Sequence, residues 1–292
     1  KAGVPKERIA MEYAALHLAA GDLSRARIVL QELTELKPEL STAWAMLAAV
    51  LMQQKDTQAL IDCERKLDRI KDKDFIVLFI LGQIAVGKGD YAGARVLFDK
   101  AHVLRPSNPL VLEQLLGLDI RENREDLAGL HVRNLLLIDP EHAFANQVLG
   151  SLQLKRLQYG LAESSLRKSV ARRRTPEALN DLAWVLQARG QLEEAESLVR
   201  EALKADDRSS AMWDTLGVIL MKRGALDEAE TALKKSVSLY ADDPGLQVHL
   251  AELYAANGAR ARAAELATAL LARGSELTAS DREKLRKLVR RP

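Results

Sequence analysis

Cys63 is the only cysteine among 292 residues, so no intramolecular disulfide and no CxxC pair for metal or redox work can form. Near the middle of an expected helix, it reads as a small buried apolar side chain. The histidines His17, His102, His131, His142 and His249 never stand four residues apart, the spacing at which one helix face offers two imidazoles to a metal. The segment Gly87-Lys-Gly89-Asp-Tyr-Ala-Gly93 approaches a dinucleotide fingerprint, but it has one residue too many before its last glycine and no strand ahead of it. No GxxxxGK[ST] loop, HExxH pair or GxSxG elbow occurs. The acidic pairs Glu193-Glu194 and Asp206-Asp207 suit helix starts and inter-unit turns, where carboxylates favour helix dipoles. No catalytic residue, metal site or small-molecule cofactor is therefore expected.

Charge narrows the partners further. Lys and Arg number 43 against 41 Asp and Glu, a formal net charge of +2 that supplies no general field for nucleic acid or anionic lipid. The run Arg167-Lys168, then Arg172-Arg173-Arg174, has the charge to dock phosphate. It lacks interleaved aromatics for base stacking, and it equally suits a solvated helix end or an acidic protein partner. Nucleic acid is not the expected ligand. The longest apolar stretch, residues 75–87, has 13 residues with Gln83 inside it. A spanning helix needs about 20, so this is a buried core helix and no transmembrane segment is expected. The chain opens at Lys1 without Met or a charged-then-apolar leader, as a mature or excised form would.

These side chains must be positioned by a repeat. Ala26, Leu60, Ala94, Ala128, Ala162, Ala195, Ala229 and Ala263 are separated by 34, 34, 34, 34, 33, 34 and 34 residues. That is the length of a helix-turn-helix unit stacked on copies of itself. With those residues at position 20, units begin at Glu7, Ser41, Phe75, Pro109, Ala143, Pro176, Ser210 and Pro244. Position 8 is small in Ala14, Ala48, Gly82, Gly150, Ala183, Gly217 and Ala251, and is Leu116 in the fourth unit. Small residues there let two helices approach closely. Position 15 holds Gly21, Gly89, Gly190, Gly224 and Gly258, with Asn123 in the fourth unit, all types that tolerate positive φ after a helix. Pro38, Pro106 and Pro140 at position 32 close second helices. An aromatic content of 4% agrees with helices packed through Ala and Leu.

The chain resembles the tetratricopeptide repeat family over roughly residues 6–275. The resemblance rests on Trp44 and Trp213 at position 4, Leu47, Leu81, Leu115, Leu149, Leu182, Leu216 and Leu250 at position 7, Tyr91 and Tyr159 at position 17, and Phe98 at position 24. Units two and four depart most, through Lys55, Thr57 and Leu60 in one and Leu116, Asp119 and Glu125 in the other. The resemblance implies an all-α, right-handed α-solenoid of about eight helix-turn-helix units, with each first helix on the inner wall. The array is expected over residues 7–275, with a C-terminal capping helix over 280–291. In that helix Ser280 is the expected N-cap and Glu283 its capping-box partner. Leu285, Leu288 and Val289 would cover the last unit, and a membrane-surface helix is the alternative reading. No comparable polar cap opens the chain, so further repeats before Lys1 and self-association through the N-terminal end are expected.

The family's ligands commonly lie in the concave groove, against positions 2, 5, 9 and 12 of successive first helices. Here those positions are apolar at first, with Met11, Ala45, Ala49, Met52, Ile76 and Phe79, and turn polar near Gln83 and Glu113. The expected partner-binding residues are Gln147, Ser151, Asn180, Trp184, Asp214, Met221 and Glu252, with Val248 beside them. Asn180 offers both donor and acceptor to an extended peptide, and Trp184 is either a groove anchor or packing for the next helix. Members that grip acidic chaperone tails carry cations where this chain has Glu177, Asp181, Ala211 and Thr215, so that clamp is absent and a basic or neutral ligand fits better. The function implied is a non-catalytic scaffold for a protein or peptide. The C-terminal units also resemble repeats of bacterial envelope proteins linked to exopolysaccharide export and exosortase systems, which favours the periplasm or cell envelope over the cytoplasm. The alternative is a targeting or regulatory portion of a larger enzyme whose catalytic domain is absent.

Overall fold

The computed structural model describes residues 5–70, 74–273 and 277–290. Lys1, Arg291 and the expected array end at residue 275 lie outside these. All regular structure among the described residues is helical, in two compact units, Lys1–Ile138 and Asp139–Pro292. The first unit holds α1 (Lys6–Ala19), α2 (Leu23–Leu36), α3 (Ser41–Gln54), α4 (Thr57–Asp68), α5 (Phe75–Gly87), α6 (Tyr91–Leu104), α7 (Pro109–Arg121) and α8 (Glu125–Ile138). The second holds α9 (Ala143–Lys155), α10 (Tyr159–Arg172), α11 (Pro176–Ala188), α12 (Leu192–Ala205), α13 (Ser210–Arg223), α14 (Leu226–Leu239), α15 (Pro244–Ala256), α16 (Arg260–Ala272) and α17 (Ala279–Arg290). Within each unit odd and even helices pair as antiparallel hairpins, and each hairpin packs on the next.

Local chemistry starts and stops these helices. Asp22, Asp56 and Asp90 accept from the backbone N–H groups of Arg25, Ala59 and Gly93 and cap α2, α4 and α6. Thr175 and Ser209 cap α11 and α13, and Pro176 and Pro244 sit in first turns, where a missing N–H costs nothing. Every hairpin turn passes through one residue in the left-handed region. Gly224, with φ 81°, takes it without strain, whereas Asn123, Lys55 and Leu157 take it with a Cβ at φ 55°, 57° and 58°.

The two helices of a hairpin touch at the small residue near the middle of the first. A Cβ built on Gly82 would stand 2.5 Å from the Phe98 ring, and Cβ atoms on Gly150 and Gly217 would stand 2.5 Å from Leu166 and Leu233. Each partner lies sixteen residues on and is fully buried. In the fourth hairpin Leu116 itself is fully buried in α7. Asp119, also on α7 and without solvent exposure, accepts from Arg95 Nη2 at 2.8 Å and pairs with His131 Nδ1 at 2.6 Å. Arg95 also reaches Glu122 at 3.2 Å, so the departure at Asp119 is a buried ion network tying α6, α7 and α8 together.

At the C-terminal end, α17 begins one residue before Ser280. Thr278 is the N-cap: its Oγ1 accepts from Asp281 N at 3.1 Å and donates to the Asp281 carboxylate at 2.7 Å. Thr278 precedes the first helical residue, whereas Ser280 already lies inside the first turn. Leu285 is fully buried with Val248, Ala251, Ala267 and Leu270, and Leu288 packs beside them.

Leu157 is 69% exposed, so its side chain holds nothing in place while its backbone is strained. Leu157→Gly is expected to raise stability by roughly 0.5–1 kcal/mol, the left-handed penalty less the extra chain entropy of glycine. Urea unfolding at fixed m-value measures it, and an unchanged or lowered midpoint would refute the assignment of strain.

Candidate functional site

Hydrogen bonds between consecutive first helices organise the polar strip of the second unit. Gln147 on α9 donates through Nε2 to Asp181 Oδ2 on α11 at 3.0 Å, and Ser151 Oγ lies 3.5 Å from the same oxygen. The same offset recurs two hairpins later, where His249 Nδ1 on α15 lies 2.8 and 2.9 Å from the two Asp214 oxygens on α13. A carboxylate can only accept, so His249 carries its proton on Nδ1. Lys222 on α13 donates to Gln187 Oε1 on α11 at 2.5 Å, and Lys284 on α17 pairs with Glu252 on α15 at 3.3 Å. His249 and Trp184 lie with ring centroids 6.4 Å apart.

These links occupy most of the expected binding residues. Asp214 is buried, Val248 has no exposure and lies in the core, and Met221 packs against the core of α11 to α14. Gln147, Ser151 and Glu252 are held by Asp181 and Lys284. Asn180 and Trp184 stand apart. Asn180 Oδ1 is buried without a hydrogen-bond partner among the described residues. Trp44 and Trp213 each donate through Nε1 to a backbone carbonyl six residues back, Pro38 and Asp207, at 2.9 and 2.8 Å. Trp184 makes no such bond among the described residues, and its side chain is half-buried. Sequence reasoning missed Asp181, Gln187, Lys222, His249 and Lys284 as members of the strip, and the shared offset between position 5 of one unit and position 6 of the next was the available signal.

The charged groups respond to this setting. Burial raises the pKa of Asp181 above the ordinary carboxylate value; the bonds from Gln147 and Ser151 oppose that rise and Glu177 adds to it. Raised in the fold, Asp181 favours the folded state only at low pH, and that contribution is lost as pH rises through its folded pKa. Burial works against charge on His249, yet the hydrogen bond to Asp214 and the negative charges of Asp214 and Glu252 outweigh it and raise the pKa above 6.5. The His249 contribution is therefore full below its unfolded pKa and lost as pH climbs through its folded value. Burial, with Lys284 nearby, lowers the pKa of Lys222.

On the even-numbered helices the basic run is largely paired. Arg167 forks onto Glu194 at 2.8 and 2.9 Å, Arg174 onto Glu201 at 2.8 and 2.7 Å, and Lys168 reaches Glu141 at 2.9 Å. These cations serve inter-hairpin ion pairs, which removes most of the charge a phosphate would need. Cys63 is buried with its Sγ 3.3 Å from the Trp44 carbonyl, and burial pushes its thiol up to about 12. Among the described residues no group of three or more His, Cys, Asp or Glu is placed to hold a metal ion, and no helix is long and apolar enough to cross a membrane.

A family model for the tetratricopeptide repeat matches residues 148–211 and 180–244. No curated protein matches the chain. Among solved structures, the fold is similar to a chain of the APC/C hetero-tetramer Cut9–Hcn1, with TM-score 0.68 and 17% identity over 96% of this chain and 55% of that one. It is also similar to PilW, a type IV pilus biogenesis factor, with TM-score 0.57 and 20% identity over 74% of this chain and 98% of that one. PilF of Pseudomonas aeruginosa gives TM-score 0.57 and 16% identity over 75% and 97%. This chain thus spans about half the length of the Cut9–Hcn1 chain it matches. Together these define an all-α tetratricopeptide-repeat solenoid. Residues 148–244 carry tetratricopeptide repeats, a repeat type that generally serves as a scaffold for protein interactions.

Titration of the His249 ring by NMR is expected to give a pKa above 6.5 in the parent protein. The Asp214→Asn variant should lower it, because burial then acts with less opposition. Equal values in the two proteins would show that the pair at 2.8 Å does not govern the ring.

Proposed function

We propose that the chain is a non-catalytic scaffold that holds an extended segment of a protein partner along α9, α11, α13 and α15. The observation that carries this reading is the contrast among the tryptophans: Trp44 and Trp213 spend their N–H groups on nearby carbonyls, whereas the Trp184 indole makes no such bond among the described residues. An aromatic anchor with an open donor, beside the unmatched amide of Asn180, suits a peptide backbone that offers both carbonyls and N–H groups. Gln147, Ser151, Asp214, Met221 and Glu252 hold that surface in shape through their links to neighbouring helices. The resemblance of the C-terminal units to bacterial envelope repeats further supports a place in envelope or exopolysaccharide secretion assembly. Self-association through the N-terminal end belongs to the same reading.

The test compares the full chain with its Asn180→Ala, Trp184→Ala double variant, each immobilised and exposed to native extract, with retained proteins identified by mass spectrometry. Loss of a specific partner from the double variant, with circular dichroism and melting temperature preserved, is expected. Equal retention by both proteins would reject this surface. Recovery of the native protein from cytosolic fractions alone would reject the envelope assignment.

A further inference from the structure

The carboxylates of the polar strip are not equivalent. Asp214 has His249 against both of its oxygens, and Glu252 has Lys284 at 3.3 Å. Asp181 receives only the neutral donors Gln147 and Ser151, and its nearest charged influence is another carboxylate, Glu177, one turn earlier on α11. Glu177, Asp181 and Trp184 follow at i, i+4 and i+7, one stripe of one helix, and Asn180 adjoins it. Among the described residues the stripe thus presents a carboxylate matched by neutral donors and an indole N–H with no hydrogen-bond partner, beside an amide whose buried Oδ1 is unmatched. A half-buried anion matched only by neutral groups is electrostatically incomplete, and so is a buried amide atom without a partner.

The geometry points to an arginine side chain of the partner as the group that completes this site; the inference rests on the peptide-binding reading above and names the chemistry of its anchor. A guanidinium offers several donors in one plane, is always charged, and stacks on aromatic faces. It would place donors on Asp181 while its flat face lies on Trp184, and Glu177 would add attraction from the solvent side. An ammonium group satisfies the charge but not the planar stacking. An acidic segment would meet Glu177 and Asp181 with no cation between them. Along the strip Lys222 is engaged by Gln187, His249 by Asp214 and Lys284 by Glu252.

The experiment is selection of random dodecapeptides, displayed on phage, against the full-length chain. Parallel selections use Asp181→Asn, which keeps the shape and removes the charge, and Asn180→Ala with Trp184→Ala. Enriched peptides should share an arginine, and synthetic copies should bind Asp181→Asn about tenfold or more weakly. Replacing that arginine with lysine should weaken binding less than replacing it with alanine. Peptides without a shared cation that still require Asn180 and Trp184 would overturn the arginine anchor and leave the peptide-binding surface standing. Peptides indifferent to every variant, or no enrichment at all, would overturn both. The melting temperature of Asp181→Asn at pH 7 is the folding control: it should equal or exceed that of the parent, since the variant relieves a buried charge.

Discussion

Close approach of two helices at one small residue per hairpin is the constraint on which the remaining architecture rests. Gly82 against Phe98, Gly150 against Leu166 and Gly217 against Leu233 bring the paired helices so near that a Cβ would overlap the facing side chain. Ridges then settle into grooves along the full length of each hairpin, and the next hairpin finds a flat apolar surface to cover. An isolated pair buries too little area to offset its ordering entropy, so stability belongs to the stack. The polar strip inherits its spacing from this packing. Gln147 meets Asp181, and Asp214 meets His249, because successive first helices lie side by side at a fixed offset of 34 or 35 residues.

Polar groups do different work in the two units. In the first, Asp119, Arg95 and His131 form an ion network deep between α6, α7 and α8, where it ties three helices together and presents little to a ligand. In the second, the polar groups lie along the first helices, and each link joins one hairpin to the next. Pairing there serves two purposes at once: it strengthens stacking and uses up hydrogen-bonding capacity that would otherwise draw water. Asn180 Oδ1 on α11 is among the buried polar atoms left unmatched, with Ser236 Oγ on α14 and Arg282 Nε on α17. A scaffold whose contact surface is mostly self-satisfied becomes selective through the few groups that are not, since a partner gains most where it completes an unmatched charge or hydrogen bond.

Much of the hairpin architecture was legible in the residues. The recurring small side chain, the left-handed turn and the prolines in first turns are local signals, each fixed by sterics within a few residues. The turns at Lys55 and Leu157 were not legible, because neither residue advertises positive φ; stacking imposes the conformation on them. Trp184 was ambiguous for a similar reason. Its position gave equal weight to packing and to binding, and the hydrogen bonds that Trp44 and Trp213 make to carbonyls six residues back could not be read from it. Glu252 and Asp214 looked like free acids in the sequence, while their partners Lys284 and His249 stand 32 and 35 residues away on other helices.

By itself the sequence determined the helical hairpin and its period, because helix periodicity and turn sterics act over short stretches of chain. Tertiary structure alone decided which polar groups are satisfied and which are left open. That choice depends on side chains a whole repeat apart meeting across a helix interface, and on geometry fine enough to separate a hydrogen bond from a near miss. Asp214 and Asp181 are both single aspartates on first helices of neighbouring repeats; a histidine from the next hairpin hydrogen-bonds both oxygens of one, and the other is met by an amide and a hydroxyl.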